Sequence, residues 1–158
     1  MRLTRFSDIG LRVLIYLAKD EQRASCVTVS EVAAQFDIPL NHLVKVVGQL
    51  ARSGWVQATR GRNGGIRLSI DASQLKIGTV LRELEGDAEL VDCDSQPCML
   101  QNDCILRGAL RAGMNAFYST MDRYSLADIC GGNTGMKVIQ MHRQFMARQA
   151  EQAASLPA

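Results

Sequence analysis

Residues 28–54 constrain the fold of this chain more than any other stretch, because they encode two short helices separated by a tight break. Thr28 and Glu31 fit the S/T-x-x-E capping box that begins a helix. Residues 37–39 end that helix with a proline, and Gly54 is placed to cap the next one. That second helix is predicted from apolar residues at helical spacing, and we expect it to bury all of them: Leu40, Leu43, Val44, Val47 and Leu50. Two short helices joined in this way predict a helix-turn-helix at about residues 28–51.

The second predicted helix carries polar side chains outside its apolar stripe, where a recognition helix presents them to base edges of DNA. They are Asn41, His42, Lys45 and Gln49. Thr28, at the start of the first helix, is assigned with them as a candidate DNA contact. A lone histidine on a helix is more commonly an ordinary polar surface residue, so both interpretations stay open for His42.

A basic hairpin is predicted directly after the helix-turn-helix. Residues 55–59 and 66–69 read as strands, and the sequence RGRNGG lies between them, with glycines that permit a tight tip. Arg60, Arg62 and Asn63 are its candidate DNA contacts, because arginine at such a tip can enter a minor groove. An Arg/Gly hairpin alone could be a solvated turn. Next to a helix-turn-helix it predicts a wing, at about residues 55–70.

The charge distribution agrees with a polyanion partner for the first half of the chain. The net charge is only +2. Residues 1–70 nevertheless carry ten Lys/Arg against five Asp/Glu, and residues 71–158 carry eight against eleven. Such an asymmetry favours nucleic acid as the partner of the basic half, although a solvated charged face would look the same.

Three of the five cysteines lie close together in the sequence CDSQPCMLQNDC, at Cys93, Cys98 and Cys104. Their C-x4-C-x5-C spacing lacks the paired cysteines and fourth ligand of a zinc ribbon. A disulfide between two of these three cysteines would leave the third thiol unpaired. Three thiolates suit an iron–sulfur cluster, whose iron would offset the acidic residues of the loop at about residues 86–104. Zinc or another metal, and thiol switching, remain alternatives.

Further helices are predicted at residues 5–18, 75–85 and 105–124. The last has apolar and small residues on one stripe: Ile105, Leu106, Ala109, Leu110, Gly113 and Phe117. This stripe is either the seam of a homodimer or an intramolecular core face. Ser125 and Asp128 resemble another capping start, and the tail at residues 131–158 is expected to be peripheral. The predicted fold class is mainly α with a small β-hairpin: a winged helix-turn-helix at residues 1–130, including a long dimerisation helix.

No stretch approaches the ~20 apolar residues of a membrane span, and no signal peptide is evident at the first residues, so we expect a cytoplasmic protein. An enzyme is not expected, because the chain lacks a nucleotide-binding glycine loop and a Ser/His/Asp set. An electron-transfer iron–sulfur protein remains the alternative from another class.

The start MRLTRFSDIGLRVLIYLA, the helix-turn-helix, the wing RGRNGGIRL and the three-cysteine loop together resemble the IscR-like family of winged-helix iron–sulfur regulators. The sequences NHLVK, IGTVLRELE and YSLADI are similar to its NsrR-type branch of nitric-oxide-sensitive repressors. The resemblance covers residues 1 to about 130. It implies a homodimer that binds an operator in double-stranded DNA and represses nitrosative-stress genes. It also implies nitric oxide as the effector.

The resemblance also implies a ligand set for one cluster per subunit, with 4Fe–4S preferred and 2Fe–2S as the alternative. Cys93, Cys98 and Cys104 are the cysteine ligands. The IscR branch has a histidine shortly after the third cysteine, and this chain has ILRGAL there. In the NsrR-type branch an aspartate in the first helix serves from the other subunit, and Asp8 stands at the matching position. Without the resemblance, Asp8 would only complement the helix dipole. A regulator of the same fold that senses iron–sulfur status, metal or thiols is the alternative function.

Overall fold

The computed structural model describes residues 2–18, 27–61, 64–86, 90–91, 93, 95, 98–100 and 104–154. Its elements in chain order are α1 Arg5–Ala18, α2 Val29–Phe36, α3 Leu40–Arg52, β1 Val56–Thr59, β2 Gly65–Leu68, α4 Ile77–Glu85, α5 Ile105–Met121, α6 Leu126–Ile129 and α7 Gly132–Ala154. The predicted fold class, mainly helical with one small hairpin, is confirmed.

Helix α1 is the centre of the core and packs on α3 and α4. Its buried side chains include Ile9, Val13, Leu14 and Leu17, and Val13 and Leu14 are fully inaccessible to solvent. Gly10 allows the close approach of α4, because a Cβ there would lie 2.5 Å from the Leu84 Cδ1 atom. The side chain of Val46 on α3 is 3.7 Å from the same point. The position of α3 is therefore tied to α1 and, through α1, to α4.

The helix-turn-helix is formed by α2 and α3. Thr28 caps α2 and its hydroxyl accepts the Glu31 N–H at 3.1 Å. Asp37 then adopts a left-handed conformation, with φ 51° and ψ 51°, which ends α2 and turns the chain into α3. The expectation that Leu40 and Val44 are buried was wrong, since they are 51% and 54% exposed. The core-facing stripe of α3 is instead formed by Leu43, Val46, Val47 and Leu50, because α1 contacts a face rotated away from residues 40 and 44.

Strands β1 and β2 form one antiparallel hairpin in which Val56 pairs with Leu68 and Thr59 pairs with Gly65. The Ile66 N–H also donates to the Val27 carbonyl at 2.7 Å, so the base of the hairpin is attached to the residue that precedes α2. The hairpin is therefore held against the start of the helix-turn-helix at its base.

Helices α5, α6 and α7 complete the chain. Ser125 and Asp128 form a full capping box at α6, which confirms the capping start predicted there. Helix α5 has no buried residue. Helix α7 packs on α1 and α2 and buries Val138, which is 4% exposed. Nothing in the sequence pattern of the tail predicted this packing. Among the described residues, no helix combines the length and apolar character needed to span a membrane.

Candidate DNA interface and metal centre

Helix α3 presents an exposed polar face on the side opposite its core stripe. Asn41, His42 and Lys45 are all exposed there, as the sequence predicted for a recognition helix. The Asn41 side chain accepts the His42 N–H at 2.9 Å, so its carbonyl oxygen caps the first turn of α3. The Asn41 amide group and the Lys45 ammonium are hydrogen-bond donors that can meet base edges or phosphates.

Gln49 lies further along the same face but is held by neighbouring side chains. Its Nε2 donates to the Glu83 Oε1 atom of α4 at 2.9 Å. Its Oε1 accepts from the Arg52 Nη2 atom at 2.6 Å. Ser53 also donates to Glu83, at 3.2 Å. These bonds fasten the end of α3 to α4 and place the exposed Arg52, which no sequence motif indicated as a DNA contact, at the edge of the polar face.

The hairpin, which directly follows α3 in the chain, carries further basic side chains. Arg60 is exposed immediately after β1, whereas Arg62 and Asn63 lie outside the described residues. Arg67 projects from the exposed side of β2, and its guanidinium donates to the Gln57 Oε1 atom at 2.7 and 3.0 Å. The strand alternation of Gly65–Leu68 was the sequence signal that could have identified Arg67 as outward-facing. Thr28 is exposed at the start of α2, although its hydroxyl is engaged as the cap.

The three clustered cysteines are free thiols with different exposure. Cys98 is exposed, and Cys93 and Cys104 are intermediate. Cys104 is the N-cap of α5, where its Sγ accepts the Arg107 N–H at 3.4 Å. A sulfur at this position meets the partial positive charge of a helix N-terminus. Cys130, in contrast, is buried in the core, and Cys26 lies outside the described residues.

Asp8 lies in the first turn of α1 and its side chain is 50% exposed. Arg12, one turn later, donates from Nε to both carboxylate oxygens at 3.0 Å. An open cavity of about 770 Å³ surrounds the pair, and its charged lining residues are Arg2, Arg5, Asp8, Arg12 and Asp37. Asp8 is therefore accessible from outside the chain and sits in a predominantly basic depression.

Within the described parts of the chain, no three His, Cys, Asp or Glu side chains are grouped so that they could hold a metal ion. In these described parts of one chain, Asp8, Cys93, Cys98 and Cys104 are thus not assembled into one site. The donors themselves fit an iron–sulfur cluster, because soft thiolates bind its iron readily and all three thiols have some solvent access.

A helix-turn-helix with an exposed polar second helix, followed by a hairpin with basic side chains, defines a winged-helix DNA-binding protein. Residues 3–132 match the family model of Rrf2, described as an iron-dependent transcriptional regulator. The chain therefore belongs to the Rrf2 family of transcriptional regulators.

Solved structures of similar fold include CymR from Staphylococcus aureus in its oxidised form, at 25% identity and a TM-score of 0.66, covering 84% of this chain and 98% of that one. CymR of B. subtilis, a global cysteine regulator, is 22% identical with a TM-score of 0.64 and covers 82% and 96%. IscR of T. potens is 18% identical with a TM-score of 0.65 and covers 100% and 94%. The last two, at this identity, show the shared fold alone.

Proposed function

We propose that this Rrf2-family chain is a homodimeric repressor that binds operator DNA and senses nitric oxide through an iron–sulfur cluster. Its targets would be nitrosative-stress genes. The observation that carries the proposal is that one chain combines the exposed polar face of α3 with three free thiols in the segment of the sequence between α4 and α5. The sequence features shared with NsrR-type repressors support nitric oxide as the effector. The role is regulatory, and no residue is assigned to catalysis.

The residues that would hold the cluster are Cys93, Cys98, Cys104 and Asp8 of the partner subunit. Bound there, the cluster would supply iron that nitric oxide can attack. Ligation between subunits is supported by charge, since the depression around Asp8 contains three arginines. The loop that would approach it is acidic in sequence, with Asp87, Glu89, Asp92, Asp94 and Asp103. Opposite charges of this kind favour docking of the loop of one protomer against α1 of the other.

Asp8 connects sensing to DNA binding because it belongs to α1, which packs on the recognition helix α3. When Asp8 is not engaged elsewhere, Arg12 binds both its oxygens. A change in the partner of Asp8 therefore alters the restraint on α1. In a dimer the two recognition helices must sit about one DNA turn apart, so a small rotation misplaces one of them. A hundredfold loss of affinity requires only about 2.7 kcal/mol of differential binding.

The proposal is tested on protein purified without oxygen. We expect an iron–sulfur absorption spectrum, matching iron and sulfide contents, and loss of DNA binding on titration with nitric oxide. Replacing Cys93, Cys98 or Cys104 by Ser should abolish the nitric-oxide response. The matched control, Cys130→Ser, changes a buried thiol away from the loop and should keep it. Colourless protein that holds one zinc ion would overturn the cluster assignment.

Ligation by Asp8 has its own test. Asp8→Ala should leave a cluster on three cysteines, with an altered spectrum and a blunted response, because carboxylate is the weakest ligand of the set. Mixed dimers decide whether ligation crosses subunits. When a subunit lacking Asp8 is paired with a subunit lacking the three cysteines, the dimer has a complete ligand set only if ligation crosses between subunits. A normal spectrum when an intact chain is paired with a chain lacking both sets would indicate ligation within one chain.

A thiol-sensing regulator is the second candidate. It is favoured by the similarity to the oxidised form of S. aureus CymR and by the exposure of Cys98. In that case the protein would be colourless, and peroxide or a disulfide would change DNA affinity with no added metal. Cys98→Ser would remove that response. The same anaerobic spectrum therefore separates the two functions.

A further inference from the structure

Glu31 of α2 holds a buried carboxylate that is only 5% exposed. The Tyr16 hydroxyl of α1 donates to its Oε1 atom at 2.7 Å. The His142 Nδ1 atom of α7 lies 2.6 Å from the same oxygen, and the histidine side chain is 19% exposed. Three helices thus meet at one carboxylate, and His142 lies beyond the residues that the family model matches, 3–132.

A buried carboxylate is costly unless it is hydrogen-bonded, and removing one partner of such a group is strongly destabilising. Glu31 is the third residue of α2, where a capping-box glutamate would turn back toward the start of the helix. Here its Oε1 atom accepts from α1 and contacts α7. The side chain therefore fastens the first turn of α2 to both neighbouring helices.

A second contact between α7 and α2 lies one turn further along. The Gln35 Nε2 atom donates to the Met141 carbonyl at 3.0 Å. Apolar packing accompanies it, with Val138 buried and Met141 partly buried against the core. Glu31 and Gln35 are four residues apart and share one face of α2. Helix α7 thus runs along that face over at least one full turn.

We propose that α7 is a clamp on the helix-turn-helix, and that His142 and Glu31 are positioning residues for DNA recognition. This inference rests on the proposed DNA binding. Helix α2 leads into the recognition helix through only residues 37–39, so the angle of α2 on α1 sets the angle of α3. If α2 is held less firmly on α1, the affinity of the protein for its specific DNA site should fall. Binding to unrelated DNA should change little, because it depends mainly on charge.

The experiment compares two DNA probes for the full-length dimeric protein. One is the duplex that wild-type protein selects from a random-sequence library, and the other is a scrambled duplex of equal length. His142→Leu should lose at least tenfold in affinity for the selected duplex, with affinity for the scrambled one within twofold of wild type. His142→Asn keeps a donor near the Nδ1 position and should recover most of the loss. Arg143→Ala, an exposed neighbour on the same helix, is the control and should match wild type.

Hydrogen exchange of residues 29–36 supplies a readout that does not depend on DNA, and it should be faster in His142→Leu than in wild type or the Arg143→Ala control. Equal loss of affinity on both duplexes, no recovery in His142→Asn, or unchanged hydrogen exchange would overturn the clamp.

If His142→Leu fails to fold, Gln35→Ala decides the question, because it removes the Met141 contact without leaving a buried carboxylate unpaired. It should weaken selected-site binding at least threefold, and unchanged binding overturns the inference. If wild-type protein selects no duplex, the proposed DNA binding is overturned. The clamp is then tested by the hydrogen exchange of residues 29–36.

Discussion

At the scale of single residues, the ion pair between Arg82 of α4 and Asp122, just after α5, joins the two helices that flank the cysteine loop. The Arg82 Nη2 atom is 2.5 Å from the Asp122 Oδ2 atom, and the guanidinium lies 5.0 Å from the centre of the Tyr118 ring. The hydrogen bond from Arg82 lowers the pKa of Asp122 below its usual value. The pKa of Arg82 is raised by the same bond.

The depressed pKa of Asp122 gives a pH dependence with a definite sign. The pair stabilises the fold above the unfolded pKa of about 3.9, and this contribution is lost as pH falls through the lower folded pKa. Both side chains are partly exposed, so we expect Asp122→Asn to lower the unfolding free energy by only about 0.2–1 kcal/mol at pH 7. Denaturant unfolding at fixed protein concentration should show this difference shrinking below about pH 4. A constant difference between pH 7 and pH 3 would contradict the assignment.

At the scale of elements, α4 and α5 approach each other closely at Gly78. A Cβ on Gly78 would collide with the Asp122 Oδ1 atom and would lie 2.6 Å from the Tyr118 carbonyl oxygen. We expect Gly78→Ala to destabilise the protein by about 1–3 kcal/mol, because it forces the helices apart. The control is Gly48→Ala on α3, whose nearest neighbour would be the Arg52 Nη1 atom at 3.7 Å. It should be neutral or stabilising in thermal unfolding, and equal effects would show that helix propensity alone is measured.

The recognition helix and the hairpin make a second prediction at this scale. Lys45 and Arg60 are both exposed, one on α3 and the other immediately after β1. If each contacts a phosphate, Lys45→Ala and Arg60→Ala should each weaken DNA binding and lower the slope of log affinity against log salt by about 1. Fluorescence anisotropy between low and moderate salt measures both quantities, with the exposed Arg123→Ala as the control. Unchanged affinity in both variants would place the DNA interface on another face.

At the scale of the whole molecule, α5 leaves all of its side chains at least partly exposed within the part of the chain that the structure describes. Ile105 and Leu106 are 89% and 64% exposed, whereas Phe117, nearer the other end of the helix, is partly buried against the core. Of the two roles that the sequence left open for this stripe, a dimer seam fits this exposure better. Rrf2-family regulators generally act as dimers, which agrees with this role.

Dimerisation through α5 is tested by charge at its exposed start. Leu106→Glu should raise the dimer dissociation constant at least tenfold, about 1.4 kcal/mol, because an apolar contact is replaced by a charge that must be desolvated. Sedimentation velocity over a dilution series measures the constant. Met146→Glu, a 50% exposed position on α7, should leave it unchanged. If Met146→Glu dissociates the dimer and Leu106→Glu does not, the dimer interface lies on α7 instead of α5.

The sequence by itself determined the local structure and the kind of chemistry available. Capping residues, a proline break and apolar spacing depend on neighbours along the chain, so α1, the helix-turn-helix and the hairpin were predictable. The three clustered thiols identified a candidate metal or redox loop in the same way. Their ligand geometry was not predictable, and the described residues of one chain do not bring Asp8 to the loop.

Only the tertiary structure decided which groups meet across the chain. Glu31 fits a local capping motif, and its contact with His142, 111 residues later, depends on how α7 lies against α2. Val44 matched the helical spacing of a core residue, yet the direction of α1 leaves it exposed. Long-range packing is set by the summed burial of many side chains rather than by any one pattern, so periodicity gives the faces of each helix but not their partners.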